Sequence, residues 1–282
     1  MNHCYLCGNN HFHLRSGNVR DDRCLDILEC SVCSLVQLSS QDHISDEVYE
    51  NSEMHEDPTL SIKDWLKETS IDDSRRFKML SAKMANKVLL DFGCGAGGFL
   101  SMSQDITHKS YGVELDIHVR KYWDGKLNIF RDLEPIKPKS IDIITLFHVL
   151  EHIKDPILLL KNLSGYLRPH GEIVIEVPCS EDILLTTYDC NKFQDFTYWS
   201  KHLYLFNSYT LKKVSEASNL KVNAIKCIQR YPLSNHIQWL INGKPGGHKS
   251  LTFLNEPDLM SAYESTLAKI GKTDTILAFL TL

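Results

Sequence analysis

From about residue 87 onward, short apolar runs alternate with turns that contain glycine or proline and with amphipathic stretches. Short apolar runs bounded by Gly, Pro or polar residues are typical of strands that are covered on both faces. Strands that alternate with helices predict a doubly wound α/β sheet. The predicted strands are Lys87–Phe92, Ser110–Glu114, Ile141–Phe147, Gly171–Val177, Lys221–Arg230 and Thr275–Leu282.

Two helices of this region carry clear start signals. Asp155 is a good N-cap for a helix over Pro156–Leu167, whose first residue is a proline, as the first turn of a helix favours. Asn207 or Ser208 would cap a second helix over Tyr209–Ala217. Both helices fit between predicted strands, so they support the α/β assignment.

The first eighty residues differ from the rest in composition. Residues 1–40 are rich in Cys, His, Asn and Asp, and residues 41–80 carry many acids and no strand signal. In the second stretch the apolar spacing suits short helices. We therefore predict a small N-terminal head over 1–40, a helical linker or lid over 41–80, and an α/β domain over 81–282. Candidate lid residues are Tyr49, His55, Arg75 and Arg76, although the two arginines are expected to form a solvated helix face.

Composition narrows the possible functions. The chain has 282 residues, 43% hydrophobic and 24% charged, which is ordinary for a globular protein and excludes a disordered or collagen-like chain. The net charge of −5 argues against a protein that tracks nucleic-acid phosphates. No run of 18 apolar residues occurs, and the start has no basic or apolar leader, so we expect a cytoplasmic protein without a membrane span.

Two CxxC pairs stand near the start of the chain, separated by 22 residues. Two such knuckles can complete a tetrahedral zinc site, and four thiolates leave no open position for a reactive water. The sequence therefore predicts a structural zinc in a zinc-ribbon-like head, where the metal supplies folding energy that so small a core lacks. The predicted ligands are Cys4, Cys7, Cys30 and Cys33, with Cys24, His3, His11 and His13 as possible substitutes.

A glycine-rich turn follows the first α/β strand, in the sequence VLLDFGCGAGGFL that begins at Val88. Glycines allow a tight turn and close approach of a ligand to the backbone. Glu114 ends the next strand, 21 residues after Gly93, where a carboxylate can accept both hydroxyls of a ribose. The turn lacks the GxGxxG and GK[ST] patterns of dinucleotide and P-loop sites. An adenosine-like ligand without a pyrophosphate is therefore expected.

Four motifs in order, VLLDFGCGAGGFL, GVELD, IDIITLFHVLEHIKDP and LRPHGEIVIEVP, resemble the class I S-adenosylmethionine-dependent methyltransferases. The resemblance covers about residues 75–282. It implies a seven-stranded Rossmann-like sheet with an antiparallel last strand, S-adenosylmethionine as cofactor, and methyl transfer as the activity.

The resemblance also implies roles by position. Glu114 would take the ribose hydroxyls and Leu115 would flank the adenine, while Asp132 would contact the adenine amino group or be a solvated turn acid. Phe147 and His148 would lie beside the sulfonium. The chain lacks an [ND]PP[YFW] motif there, which makes methylation of a nucleobase amine less expected. The methionine part of the cofactor would be held by the loop residues Asp91, Phe92, Gly93, Cys94, Gly95 and Gly97.

A hydroxyl acceptor needs a general base, because its own nucleophilicity is poor at neutral pH. His202 is the first candidate, in an aromatic-rich stretch from Phe193 to Asn207 where family members often place the acceptor, although it could equally be a packed core residue. His148 and His152 flank Glu151 and would share a face if a helix continued there. They could serve the cofactor pocket, catalysis or a metal ion.

The head, acidic linker and methyltransferase domain together look like the sugar-modifying members of the family. The predicted acceptor is a small hydroxylated molecule, first a nucleotide-linked sugar or polysaccharide precursor, with O-methylation ahead of C-methylation because no extra C-terminal domain follows. Alternatives are an RNA methyltransferase that reads RNA with its zinc head, and a non-catalytic cofactor-binding scaffold. The loop Gly243–His248 could bind a substrate phosphate or be a surface turn.

Overall fold

A seven-stranded mixed sheet is the centre of the computed structural model, which describes residues 3–45, 50 and 61–282. Its strand order is β10-β11-β8-β7-β4-β5-β6. Strand β11 runs antiparallel to both of its neighbours, and the pairs from β8 to β6 are parallel. The strands are β4 (Val88–Phe92), β5 (Lys109–Val113), β6 (Ile129–Phe130), β7 (Ile141–Phe147), β8 (Leu167–Pro178), β10 (Lys221–Ile228) and β11 (Thr275–Thr281).

A second, smaller sheet contains the N-terminal head. Its order is β1 (Phe12–Leu14), β2 (Ile27–Cys30), β3 (Val36–Leu38) and β9 (Tyr204–Leu205), all antiparallel. Three of these strands come from the head, and β9 comes from the stretch that follows β8 in the large domain. The apolar side chains of the head belong to the same buried cluster as one face of the large sheet. The head therefore packs as part of the α/β body.

Helices connect the strands of the large sheet. They are α1 (Ile62–Met84), α2 (Gly98–Ser103), α3 (Ile117–Tyr122), α4 (Pro156–Ser164), α5 (Asn191–Thr197), α6 (Ser208–Ala217), α7 (Leu233–Asn242), α8 (Gly247–Ser250) and α9 (Pro257–Ile270), with short 3₁₀ turns at Leu150–His152 and Thr252–Leu254. Within the described residues, every helix is too short or too polar to cross a lipid bilayer.

The predicted α/β class, the six strands and the antiparallel last strand are confirmed. The largest difference in bounds lies before β8, which begins at Leu167, so that the preceding helix ends at Ser164. Leu167 pairs with Ile141, and the register then shifts before Ile143, so an irregular β pairing absorbs the proline and glycine that were expected to end a helix. Strands β6 and β9 have two residues each and were not predicted.

The linker forms one long helix rather than several short ones. Ser61 caps α1 by accepting from the amide of Asp64, and no glycine or proline interrupts the next 23 residues. The prediction that Arg75 and Arg76 form a solvated face is wrong, because both side chains reach Glu176 of β8, whose side chain is fully buried. The other lid candidates, Tyr49 and His55, lie outside the described residues.

Candidate active site

The glycine loop lies between β4 and α2 and has the strained backbone that its sequence predicts. Gly93, Gly95 and Gly97 have φ values of +70°, +51° and +81°, which side chains with a Cβ rarely adopt. A Cβ at Gly93 would lie 2.5 Å from Cγ2 of Val149. Any larger residue would therefore strain the backbone and displace the residue that follows His148.

Two tryptophans border this loop. A Cβ at Gly95 would lie 3.2 Å from Cζ2 of Trp65 on α1, so the indole rests directly on the loop. The indole nitrogen of Trp123 donates to the carbonyl oxygen of Ala96 at 2.7 Å. The sequence analysis counted Trp65 as a helix position and did not mark Trp123, because single tryptophans carry no spacing signal.

Glu114 lies where the sequence places it, against the glycine loop. One carboxylate oxygen accepts from the amide of Gly95 at 2.8 Å, and the other accepts from the amide of Asp116 at 3.1 Å. Burial raises the pKa of this carboxyl group, although the two amides act in the opposite direction. The geometry brings a carboxylate and the loop backbone to one edge of the sheet.

The other predicted cofactor residues divide into core and surface positions. Asp91 is 2% exposed and accepts from Oγ1 of Thr145 at 2.7 Å, and burial raises its pKa to about 7. Cys94 is buried, Phe92 and Leu115 are half-buried, and Asp132 is an exposed turn acid that accepts from the amide of Glu134.

Phe147 ends β7 and is nearly buried. Its ring meets Phe99 edge-on at 5.0 Å, and the guanidinium of Arg76 lies 4.7 Å from the ring centre. This packing fixes the position from which the chain turns into His148. His148 itself has φ +56°, so the chain bends sharply and turns the imidazole back toward the sheet edge.

His148 lies between two buried carboxylates. Its Nδ1 is 3.3 Å from Glu151, and its Nε2 is 3.4 Å from Glu176. Both acids have fully buried side chains, whereas the side chain of His148 is 23% exposed. Burial opposes ionisation of both acids, but their contacts with His148 and other cations outweigh it and lower both pKa values. An accessible imidazole thus touches two ionised carboxylates.

Two further histidines complete this cluster. His152 lies in the 3₁₀ turn, with Nδ1 2.7 Å from the carbonyl oxygen of Lys201, and its ring is 5.0 Å from that of His202. Burial lowers the pKa of His152, and it lowers that of His202 to about 3. Ligand atoms of Glu151, His152 and His202 lie within 4.8 Å of one another, a spacing that a cation could also bridge. The expected helical face is replaced by a tight turn that serves the same convergence.

A row of ion pairs supports the cluster from behind. Arg75 contacts Glu176 at 2.8 Å and Asp72 at 3.0 Å, and Arg230 contacts Asp72 at 3.1 Å. Arg76 also reaches Glu176 at 2.8 Å. Helix α1 is therefore attached to the carboxyl ends of β8 and β10. These partners are 100 or more residues apart, so the sequence analysis could not pair them.

The glycine-rich loop Gly243–His248 does not offer its amides to a phosphate. The amides of Gly246 and Gly247 donate to the side-chain oxygen of Asn235 at 2.9 and 3.3 Å. Their hydrogen-bonding capacity is therefore used within the chain. This arrangement favours the surface-turn alternative.

The four predicted metal ligands converge in the head. The sulfur atoms of Cys4 and Cys33 are 3.4 Å apart, those of Cys7 and Cys30 are 3.5 Å apart, and all four lie within 4.8 Å. Backbone amides lower the pKa of Cys30 to about 6 although burial opposes them. Cys24 is exposed and stands outside this cluster, which has the donor set and spacing of a metal site.

Comparison with known proteins agrees with this geometry. The family described as "Methyltransferase domain" matches residues 65–225, which is more than half of the chain. The chain belongs to this methyltransferase family. The matched segment begins in α1 and contains the glycine loop, Glu114 and the His148 cluster. It is a class I S-adenosylmethionine-dependent methyltransferase domain with a four-cysteine cluster before it.

Two curated proteins and a crystal structure illustrate this relation. A protein of Mycolicibacterium smegmatis, named "Probable S-adenosylmethionine-dependent methyltransferase", is 26% identical over 36% of this chain and 42% of its own length. A ubiquinone biosynthesis O-methyltransferase of Xanthomonas euvesicatoria is 29% identical over 33% of this chain and 44% of its own. The methyltransferase thus aligns with less than half the length of these curated relatives.

The crystal structure of a SAM-dependent methyltransferase from Archaeoglobus fulgidus matches with a TM-score of 0.51 and 18% identity. The match covers 77% of this chain and 99% of that one. At this identity the similarity establishes the shared fold of the methyltransferase domain.

Proposed function

We propose that this protein transfers a methyl group from S-adenosylmethionine to a hydroxyl of a small acceptor. The observation that carries the proposal is the position of His148, which directly follows β7, lies beside the glycine loop and contacts Glu151 and Glu176. It is a partly accessible imidazole at the edge of the sheet where the cofactor residues meet. This is the place where an acceptor hydroxyl must be held and deprotonated.

The chemistry asks little else of the protein. The cofactor, when bound, supplies a methyl group that is already activated on a sulfonium, and an acceptor oxygen displaces the thioether in line. His148 takes the hydroxyl proton, and the negative charges of Glu151 and Glu176 stabilise the imidazolium that forms. Alignment of the two reactants supplies much of the rate, because effective molarities reach ~10⁵–10⁸ M in well-oriented reactions.

The acceptor class is inferred from the domain organisation and from the relatives. The combination of four-cysteine head and methyltransferase domain supports a nucleotide-linked sugar or polysaccharide precursor. The printed name of the Xanthomonas relative is that of an O-methyltransferase, which supports oxygen over carbon as the methylated atom. It also makes a ring hydroxyl of a quinol the second candidate. The net charge of −5 disfavours RNA.

A screen of acceptors tests this function. Release of S-adenosylhomocysteine is measured with nucleotide sugars, catechol-type quinols and structured RNAs, and products are weighed by mass spectrometry. Turnover with a sugar nucleotide or a quinol supports the proposal. Turnover confined to RNA overturns the acceptor class and makes the head a candidate RNA reader.

Glu114 is proposed to bind the ribose of the cofactor. Glu114→Ala removes a buried carboxylate that can accept two hydroxyls, and hydrogen bonds to a charged group are worth ~1.5–3 kcal/mol. We expect S-adenosylhomocysteine to bind roughly 10- to 100-fold more weakly in calorimetry. The control is Glu134→Ala, which removes an exposed acid in the turn after β6. Equal affinity for wild type and Glu114→Ala would contradict the ribose role.

The same titration tests the remaining positional assignment. Asp132→Asn should weaken binding if this acid contacts the adenine amino group, as the family resemblance implies. The exposed position of Asp132 and its local hydrogen bond to Glu134 support the turn-acid alternative. An affinity that does not change would assign Asp132 to the turn.

The head is proposed to hold one structural zinc. Four cysteine sulfurs at this spacing form a closed tetrahedral donor set, and thiolate ligands suit zinc. The head strands have three or four residues each, so metal binding would contribute a large part of the folding energy of the head.

Metal analysis of the freshly purified full-length protein should find about one zinc per chain, as a four-thiolate structural site binds. Cys7→Ser should lose most of the metal, whereas Cys24→Ser should keep it, because Cys24 is in the same head but outside the cluster. Less than about 0.3 equivalents in the wild type would contradict a resident zinc.

A further inference from the structure

The head is joined to the aromatic segment, residues 193–207, by backbone hydrogen bonds. Strand β9 in this segment is the fourth strand of the head sheet, where Val36 pairs with Leu205. The amide of Leu38 donates to the carbonyl of Leu203 at 3.1 Å, and the amide of Arg20 donates to the carbonyl of Tyr198 at 2.9 Å. The segment predicted to carry the acceptor site is thus part of the head sheet.

Side chains of the head hold the middle of the same segment. The two carboxylate oxygens of Asp21 accept from the amide and the hydroxyl of Ser200 at 2.9 and 2.7 Å. The imidazole Nε2 of His43 lies 2.7 Å from the carbonyl oxygen of Ser200. The guanidinium of Arg20 lies 4.5 Å from the ring centre of Trp199, within the range of a cation–π contact. Three head residues therefore fix two consecutive residues of the segment.

Trp199 passes this constraint on to the histidines. Its ring is 5.4 Å from that of His202 and 6.1 Å from that of His152, edge-on in both cases. The amide of His202 donates to the carbonyl oxygen of Trp199 at 2.9 Å. Nδ1 of His202 is buried without a hydrogen-bond partner in the described part of the chain. The orientation of this ring is therefore set by its packing against the segment.

The cofactor side is built from other parts of the chain. Its glycine loop packs against Trp65 of α1, Trp123 after α3 and Val149 after β7, and Glu114 bonds to the loop and to Asp116. The two halves of the site are thus supported independently. The acceptor half depends on the head, and the cofactor half depends on α1 and the sheet.

We propose that the metal-bound head is a built-in wall of the acceptor site and positions His202 through Asp21, Arg20 and Trp199. The loop with Arg20 and Asp21 connects β1 to β2, and β2 ends at the metal-site residue Cys30. Loss of the metal therefore releases this loop and, with it, the aromatic segment. The word acceptor here rests on the proposed function, whereas the mechanical coupling does not.

Hydrogen exchange of the full-length protein, zinc-loaded and chelator-stripped, tests the coupling. Stripping is expected to raise amide exchange in residues 198–206 by ~10-fold or more, because this stretch loses its partners. Exchange in residues 88–116 and the affinity for S-adenosylhomocysteine in calorimetry should change less than about threefold. Added zinc should restore the original exchange. Equal acceleration in both regions, or in neither, would overturn the proposal.

A variant separates the contact from the metal. Asp21→Ala keeps all four cysteines and should keep its zinc, yet should speed exchange at Ser200 and its neighbours. The matched control is Asp26→Ala, an exposed head aspartate whose backbone bonds to Ser39. Unchanged exchange in zinc-loaded Asp21→Ala would contradict the role of Asp21. Neither readout needs an acceptor, so a failed acceptor screen would count against the proposed function and leave this coupling standing.

Discussion

His148→Asn is expected to lower kcat by ~10²–10⁴-fold, which is the usual contribution of a general base. Asparagine tolerates the left-handed backbone that His148 adopts, so the change removes the base without adding much strain. Binding of S-adenosylhomocysteine should remain within about tenfold of wild type, because the glycine loop and Glu114 are untouched. Steady-state rates with an acceptor from the screen, together with calorimetry, measure both quantities.

The chain provides a matched control for this variant. His170 is exposed and also has a positive φ, of +67°, so His170→Asn repeats the same chemical change in the same backbone conformation. Its kcat should equal that of wild type. His202→Asn tests the competing base, and so does His152→Asn for the buried turn histidine. A large loss of kcat in His202→Asn with a nearly normal His148→Asn would contradict the assignment of His148.

Glu176→Gln is expected to lower the free energy of unfolding by ~3–5 kcal/mol, because it leaves buried guanidinium groups without their charge partner. Arg75 and Arg76 both bond to this carboxylate at 2.8 Å, and its side chain has no exposed surface. The amide is nearly isosteric, so no cavity adds to the effect. For a domain of this size the loss corresponds to a fall in Tm of roughly 6–20 °C.

Glu172→Gln is the matched control for the stability measurement. Glu172 lies on the same strand and pairs with Lys83 of the same helix, but the Lys83 side chain is 50% exposed. Exposed pairs of this kind contribute ~1 kcal/mol or less. Thermal unfolding of both variants at neutral pH compares them. Equal shifts in Tm would show that burial of the Glu176 network is not what stabilises the attachment of α1.

The pH dependence of this difference has a definite sign. The pKa of Glu176 is held well below its usual value, since its contacts with His148 and the arginines outweigh burial. Its stabilising contribution is therefore present above the ordinary carboxyl pKa and is lost as pH falls through the lower folded-state pKa. The gap in stability between wild type and Glu176→Gln should shrink only in strongly acidic solution.

The parts of the site that could be predicted carry local signals. Strand β4, the glycine turn and Glu114 follow one another within 27 residues, and each demands a particular residue type. The four cysteines likewise announce their partners by the CxxC spacing. These features were therefore placed correctly from sequence alone.

The parts that could not be predicted depend on partners far along the chain. Arg75 and Arg76 look like surface residues until Glu176 approaches them from β8. Strand β9 has only two residues, and its pairing with β3 joins positions more than 160 residues apart. His148 shows no unusual pattern in sequence, because its positive φ arises from the turn that Phe147 and Val149 impose.

The most direct test of the account is methyl transfer itself. The zinc-loaded protein is incubated with methyl-labelled S-adenosylmethionine and the nucleotide-sugar and quinol panels, and the label is located in the product by mass spectrometry and NMR. We predict one labelled methyl group on an acceptor oxygen and one S-adenosylhomocysteine released for each product. Tight cofactor binding without label transfer to any acceptor would contradict the account and would favour a non-catalytic scaffold.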